Sequence, residues 1–138
     1  MSATAADLRK VPLFQGMTDR AVEAIAGLAM EAVFADGDAL TREGDEGDAF
    51  YLVVDGGLVI SRGGRTVREM GPGSFIGEIS LLDGRPRTAT ATARGGVRAL
   101  VIRRVDFLAL MDRFGAVRLE VLMALTDRIR ADERESED

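Results

Sequence analysis

Hydrophobic and polar positions change rhythm twice along this chain. Over residues 18–29, Val22, Ile25, Leu28 and Ala29 recur at helical spacing, and Thr18 stands where an N-cap side chain would accept a first-turn amide. A helix is predicted there, with a shorter helical element ahead of it. Leu13 and Phe14 lie between Pro12 and Gly16, and two large apolar side chains in so short a stretch are expected to insert into a core. From Glu31 to Ile102 the pattern becomes short apolar runs broken by glycine, as in a small antiparallel sandwich or barrel. Strands are predicted at 32–35, 39–42, 50–54, 58–62, 65–70, 88–93 and 97–103. Gly63 and Gly64, between Arg62 and Arg65, predict a two-residue hairpin turn, because such a turn needs positive φ at both positions. Helical spacing returns at 106–111 and again after Gly115. There Val117, Val121, Ala124 and Leu125 form one apolar face, widened by Leu122, Met123 and Ile129, so this last helix needs a surface to pack on. Residues 130–138 are almost wholly charged and are expected to fray. The reading is one domain over 1–130 with a tail over 131–138.

Composition narrows the function. With 138 residues, 46% hydrophobic and 30% charged, the chain can bury one core but not two. Cysteine and histidine are both absent. That removes disulfides, thiolate metal sites, nearly all zinc chemistry and the Ser-His and Cys-His nucleophile pairs, so most familiar enzyme designs are unavailable. A reducing cytoplasm is the expected compartment. The longest apolar stretch, 49–54, is far short of the roughly 20 residues of a membrane-spanning helix. The N-terminus has neither the basic start nor the apolar centre of a secretory signal. A net charge of −5 repels polyanions, so nucleic acid is not an expected partner.

Residues 71–93 carry the chemistry. Gly71, Pro72 and Gly73 predict a tight turn, after which Gly77, Glu78, Ile79 and Ser80 could open a short helical turn whose free N–H groups attract an anion. Glycine at 77 lets an acceptor approach the backbone closely. Nine residues after Glu78 comes Arg87, whose planar guanidinium can bind a phosphate through two parallel hydrogen bonds. Between Gly84 and Val105 there are six arginines and no acidic residue. Most of these arginines read as decoration of a solvated strand face, but alternation puts Arg87 on the side of Ala89, Ala91 and Ala93. A row of alanines beside an arginine fits a cavity for a small anion, or equally a face crowded by the last helix.

These residues resemble the phosphate-binding cassette of the cyclic nucleotide-binding domain, the module of catabolite activator proteins, cyclic-nucleotide-dependent kinases and cyclic-nucleotide-gated channels. The motif there is Gly-Glu, an apolar and a small residue, then an arginine followed by small residues. Here it is Gly77-Glu78-Ile79-Ser80 and Arg87-Thr88-Ala89. The resemblance extends to residues 11–16, to 42–48 followed by Tyr51 and Gly56, and to the two closing helices. It implies an α+β domain: an antiparallel jelly-roll barrel (double-stranded β-helix) with an N-terminal helical element and C-terminal helices.

The resemblance also implies roles. Arg87 would grip the cyclic phosphate, and Glu78 would accept from the ribose 2′-hydroxyl. Backbone N–H groups near Gly77, Ser80 and Thr88 would complete the anion nest, while Ile76, Ile79 and Ala89 would line an apolar wall. Read on its residue type alone, Glu78 is also an ordinary first-turn carboxylate favoured by a helix dipole. Thr88 resembles both the residue that reads guanine and the one that only touches phosphate, and cyclic AMP is preferred over cyclic GMP. Arg128 ends the stripe Val117, Val121, Ala124, and either stacks over the base or compensates the helix C-terminus. The expected partners are a cyclic nucleotide and an effector protein or adjoining domain, with a homodimer through the last helix as a further arrangement. No cofactor is expected. A metal-dependent cupin shares the barrel shape but needs histidines, which leaves a nucleotide-free interaction module as the alternative.

Overall fold

The computed structural model describes residues 3–77 and 85–137, and the side chains in that range apart from those of residues 3, 128, 129 and 131–137. Three short helices, α1 (Ala3–Arg9), α2 (Pro12–Gln15) and α3 (Asp19–Ala26), precede the sheet. The strands are β1 (Met30–Phe34), β2 (Ala39–Thr41), β3 (Ala49–Arg62), β4 (Arg65–Met70), β5 (Phe75–Ile76) and β6 (Thr90–Arg103). Helices α4 (Arg104–Arg113) and α5 (Gly115–Glu137) follow. The six strands form one antiparallel sheet in the order β1-β6-β3-β4, with β2 added on β6 and β5 on β3. With helices at both ends, this is the jelly-roll-like α+β arrangement expected.

Two of the predicted strand breaks are absent. Residues 50–54 and 58–62 belong to the single strand β3, and 97–103 joins the preceding run in β6, which begins at Thr90 rather than Thr88. Glycine reads as punctuation in a sequence, but here it lets paired strands bend without separating. The register between β3 and β6 shifts between Val53 and Gly57. At the bend Gly56 has φ +92°, and a Cβ there would collide with the Gly96 carbonyl oxygen. The predicted hairpin turn is present, with φ +56° at Gly63 and +79° at Gly64.

Strand alternation divides the interior in two. Phe50 and Leu52 of β3, with Leu100 and Ile102 of β6, face the helices and pack with Leu8, Phe14, Ile25, Phe107 and Leu125. Val53, Leu58, Ile60, Ala91, Ala93, Val97 and Ala99 face the inside of the barrel with Leu40. The Leu13-Phe14 pair inserts as expected: Phe14 meets Phe50 edge-on at 6.0 Å, and Phe50 stacks on Phe75 at 5.8 Å. Val117, Val121 and Leu125 of α5 are buried, but Leu122 and Met123 do not widen that face. They point away from it, exposed together with Leu119. The helix continues to Glu137, beyond the point where fraying was predicted; alanine, glutamate and arginine are good helix formers.

Thr18 caps α3 as predicted, its hydroxyl oxygen accepting from the Ala21 amide at 3.2 Å. The N3 position that would hold the glutamate of a capping box is alanine, and Glu120 of α5 takes that part instead. It accepts from the Thr18 backbone N–H at 3.0 Å and from the Thr18 hydroxyl at 3.2 Å. Thr18→Ala removes both the cap and one arm of this clasp, and is expected to lower unfolding free energy by about 1–2 kcal/mol in urea titrations. Glu120→Ala, which spares the cap, should cost less.

Candidate ligand-binding site

Two segments far apart in sequence are joined by backbone bonds before any side chain contributes. The Gly44 N–H donates to the Arg87 carbonyl at 2.9 Å, the Arg87 N–H to the Asp45 carbonyl at 2.7 Å, and the Gly47 N–H to the Arg85 carbonyl at 3.2 Å. Glu46 and Pro86 face each other in the bridge between them. Fixed in this way, Arg87 turns its side chain toward β3, where Nη2 donates to the Ala49 carbonyl. Its Nη1 lies against Gly77, which has φ +91°. A Cβ on Gly77 would overlap Nη1 and come within 2.7 Å of the Ala49 oxygen. The bare Cα of Gly77 thus makes room for the guanidinium of Arg87.

Arg87 forms part of the wall of a cavity of about 380 Å³, together with Ala39, Leu40, Thr41, Arg42, Asp45, Glu46, Asp48 and Tyr51. Ile76 and Ala89 are half-buried and pack on the barrel core, Ile76 beside Tyr51 in the β3–β5 pairing. Burial, reinforced by the Asp48 carboxylate, raises the pKa of the Tyr51 phenol, while the Arg87 charge pulls it the other way. The cavity wall therefore carries two guanidinium-bearing residues, Arg42 and Arg87, and three carboxylate-bearing ones, Asp45, Glu46 and Asp48. Such a cavity suits a ligand with one anionic group and several hydrogen-bond donors. Among the described residues no cluster of three or more His, Cys, Asp or Glu side chains could hold a metal ion. No described helix is long and apolar enough to cross a membrane.

The profile of the cyclic nucleotide-binding domain family matches residues 31–114. This chain belongs to that family. It is 35% identical to the cyclic AMP receptor protein of Thermus thermophilus over 124 residues, which is 86% of this chain and 57% of that one. It is 38% identical to the cAMP-dependent protein kinase regulatory subunit of Dictyostelium discoideum over 88 residues, 57% of this chain and 27% of that one. Among solved structures, the N-terminal domain of a transcriptional regulator from Streptomyces coelicolor superposes with a TM-score of 0.82 at 33% identity. That superposition covers 91% of this chain and 94% of the other. The chain thus spans little more than half of the first relative and about a quarter of the second.

Of the residues selected from sequence in this cyclic nucleotide-binding domain, Arg87 lines the cavity and Gly77 abuts its guanidinium, while Ile76 and Ala89 pack on the barrel core and are not among the lining residues. Thr88 is exposed and lies ahead of β6, so strand alternation does not fix its direction. Glu78, Ile79 and Ser80 lie outside the described residues, and so does the side chain of Arg128 on α5. Tyr51, Asp45, Glu46 and Asp48 were not selected, although they line the same cavity. One signal for Tyr51 was available: it shares a strand face with Val53 and so points into the barrel.

Proposed function

We propose that this domain binds a cyclic nucleotide in the cavity at Arg87 and transmits its occupancy through α4 and α5. The observation that carries the reading is the Arg87 guanidinium, held between the Ala49 carbonyl and the bare Cα of Gly77 with its charge at the cavity wall. Arg87 binds the cyclic phosphate, and Glu78 accepts from the ribose 2′-hydroxyl. Amides near Gly77, Ser80 and Thr88 complete the anion nest; Ile76, Ile79 and Ala89 form the apolar wall, and Arg128 stacks over the base. The preferred ligand is cyclic AMP rather than cyclic GMP. The role is binding without catalysis, and the ligand repositions the closing helices only as far as it binds one arrangement better than the other. An effector protein or adjoining domain reads that arrangement. Exposed Leu119, Leu122 and Met123 on α5 offer it, or a second copy of the chain, an apolar strip.

Calorimetric titration of nucleotide-free protein with cyclic AMP, cyclic GMP and linear 5′-AMP tests the reading. Saturable one-to-one binding of cyclic AMP near micromolar affinity, about −8 kcal/mol, is expected, with weaker binding of the others. No heat with any nucleotide from folded protein would favour the interaction module.

The protein also contains its own reporter. Tyr51 is its single tyrosine and there is no tryptophan. An anion bound at Arg87 offsets the charge that holds the phenol pKa down, so ligand is expected to raise the Tyr51 pKa further. Phenolate absorbance followed through an alkaline titration, with and without cyclic AMP, checks this. An unchanged or lowered midpoint would place the phosphate elsewhere.

A further inference from the structure

One end of the sheet carries three arginines that do not line the cavity at Arg87, around a hairpin turn whose Gly63 N–H donates to the Glu43 carboxylate at 2.8 Å. In the β3–β4 hairpin Leu58 pairs with Met70, Ile60 with Arg68, Ser61 with Thr66 and Arg62 with Arg65, so Val67 is an extra residue in β4. Arg65 and Arg68 are three residues apart and would face opposite ways in a regular strand. The extra residue returns Arg65 to the face of Arg68, and alternation from Leu58 through Ile60 brings Arg62 there as well. All three are exposed, and among the described residues none of their side chains has a hydrogen-bond or ion-pair partner. Nearby arginines are treated differently: Arg94 pairs with Glu69 at 2.6 Å, and Arg98 with Glu31 and Asp55. Arg62 stands directly opposite Arg65, a like-charge pairing that destabilises a hairpin. β4 is also the last strand of the sheet order, so its outer backbone groups have no strand partner among the described residues.

We propose that this edge docks an acidic, extended segment of a partner protein, which adds as a further strand beside β4. Strand addition would pair the free backbone N–H and C=O groups of β4, and carboxylates at alternate positions of the segment would face the arginines. Val67, 51% exposed, gives the intervening positions an apolar contact. Charge decides against the other occupants. Three unpaired cations repel the same edge of a second copy, and a chain of net charge −5 is a poor match for nucleic acid. Charged edges also guard against aggregation, but a guard of one sign remains open to a strand of the opposite sign.

The probe is a labelled ten-residue peptide alternating glutamate with threonine and valine, titrated into the full chain by fluorescence anisotropy, with hydrogen exchange followed at the β4 amides. Saturable binding is expected, weakening with salt and falling at least about tenfold in the Arg65→Glu/Arg68→Glu variant, with β4 amides slowed by the peptide. A lysine-for-glutamate peptide should not bind. Four results would overturn the proposal: no binding, equal binding by the variant, unprotected β4 amides in the complex, or equal competition by inorganic polyphosphate. An Arg65→Thr/Arg68→Thr variant that self-associates yet binds the peptide as before would show that the arginines only guard the edge.

Discussion

Arg87→Ala is expected to weaken cyclic AMP binding at least about a hundredfold while leaving the domain folded. A hydrogen bond to a charged group contributes roughly 1.5–3 kcal/mol, and a planar guanidinium can offer a phosphate two of them. Losing even about 3 kcal/mol is two decades of affinity. Folding should survive because the bonds that join this segment to the Arg42–Asp48 region are made by backbone groups at Gly44, Asp45, Gly47, Arg85 and Arg87, which alanine keeps. Arg87→Lys separates charge from geometry: it keeps the cation but not the planar fork, and should bind between the two. Calorimetric titration beside a thermal melt reads both quantities. Undiminished affinity in folded Arg87→Ala would move the phosphate site away from this residue.

Gly56→Ala is expected to cost stability rather than affinity, by about 3 kcal/mol in urea unfolding. Two penalties coincide there. A left-handed φ of +92° strains any residue with a side chain by roughly 1–3 kcal/mol. The added methyl would also overlap the Gly96 carbonyl oxygen and sit 3.0 Å from the Val97 Cα, and overpacking adds a similar amount. Backbone atoms form most of that obstacle, inside the paired centre of β3 and β6, so moving the Val97 side chain alone would not relieve it. Gly95→Ala is the matched control. Its φ is +72° but nothing lies within 4 Å of the new Cβ, so it should show the strain alone. Equal losses in the two variants would mean that the close approach at Gly56 is not a constraint.

These positions also show where sequence reasoning succeeds. The Gly63-Gly64 turn, the Thr18 cap and the insertion of Leu13-Phe14 each follow from neighbouring residues alone, and each is present. The breaks predicted at Gly56 and Gly95 failed because whether a glycine ends a strand or bends it depends on the strand opposite. β5, two residues long, is too short to have a period. Arg87 was legible from its charge and the alanines beyond it. The acidic wall of its cavity was not, since Asp45 and Asp48 come from a segment about forty residues earlier and join it only through backbone pairing. The face shared by Arg62, Arg65 and Arg68 depends on one unpaired residue in the register, which no periodicity reveals.

The bonds between Thr18 and Glu120 join positions 102 residues apart. Helix α5 cannot swing by itself: it must carry α3 along, or give up both bonds and leave the start of α3 uncapped by glutamate. Since α1 and α3 share one core through Leu8, Val22 and Ile25, the first helix is coupled to the same pair of bonds. A displacement of α5 that kept both bonds would therefore be felt ahead of α1 as well as beyond α5.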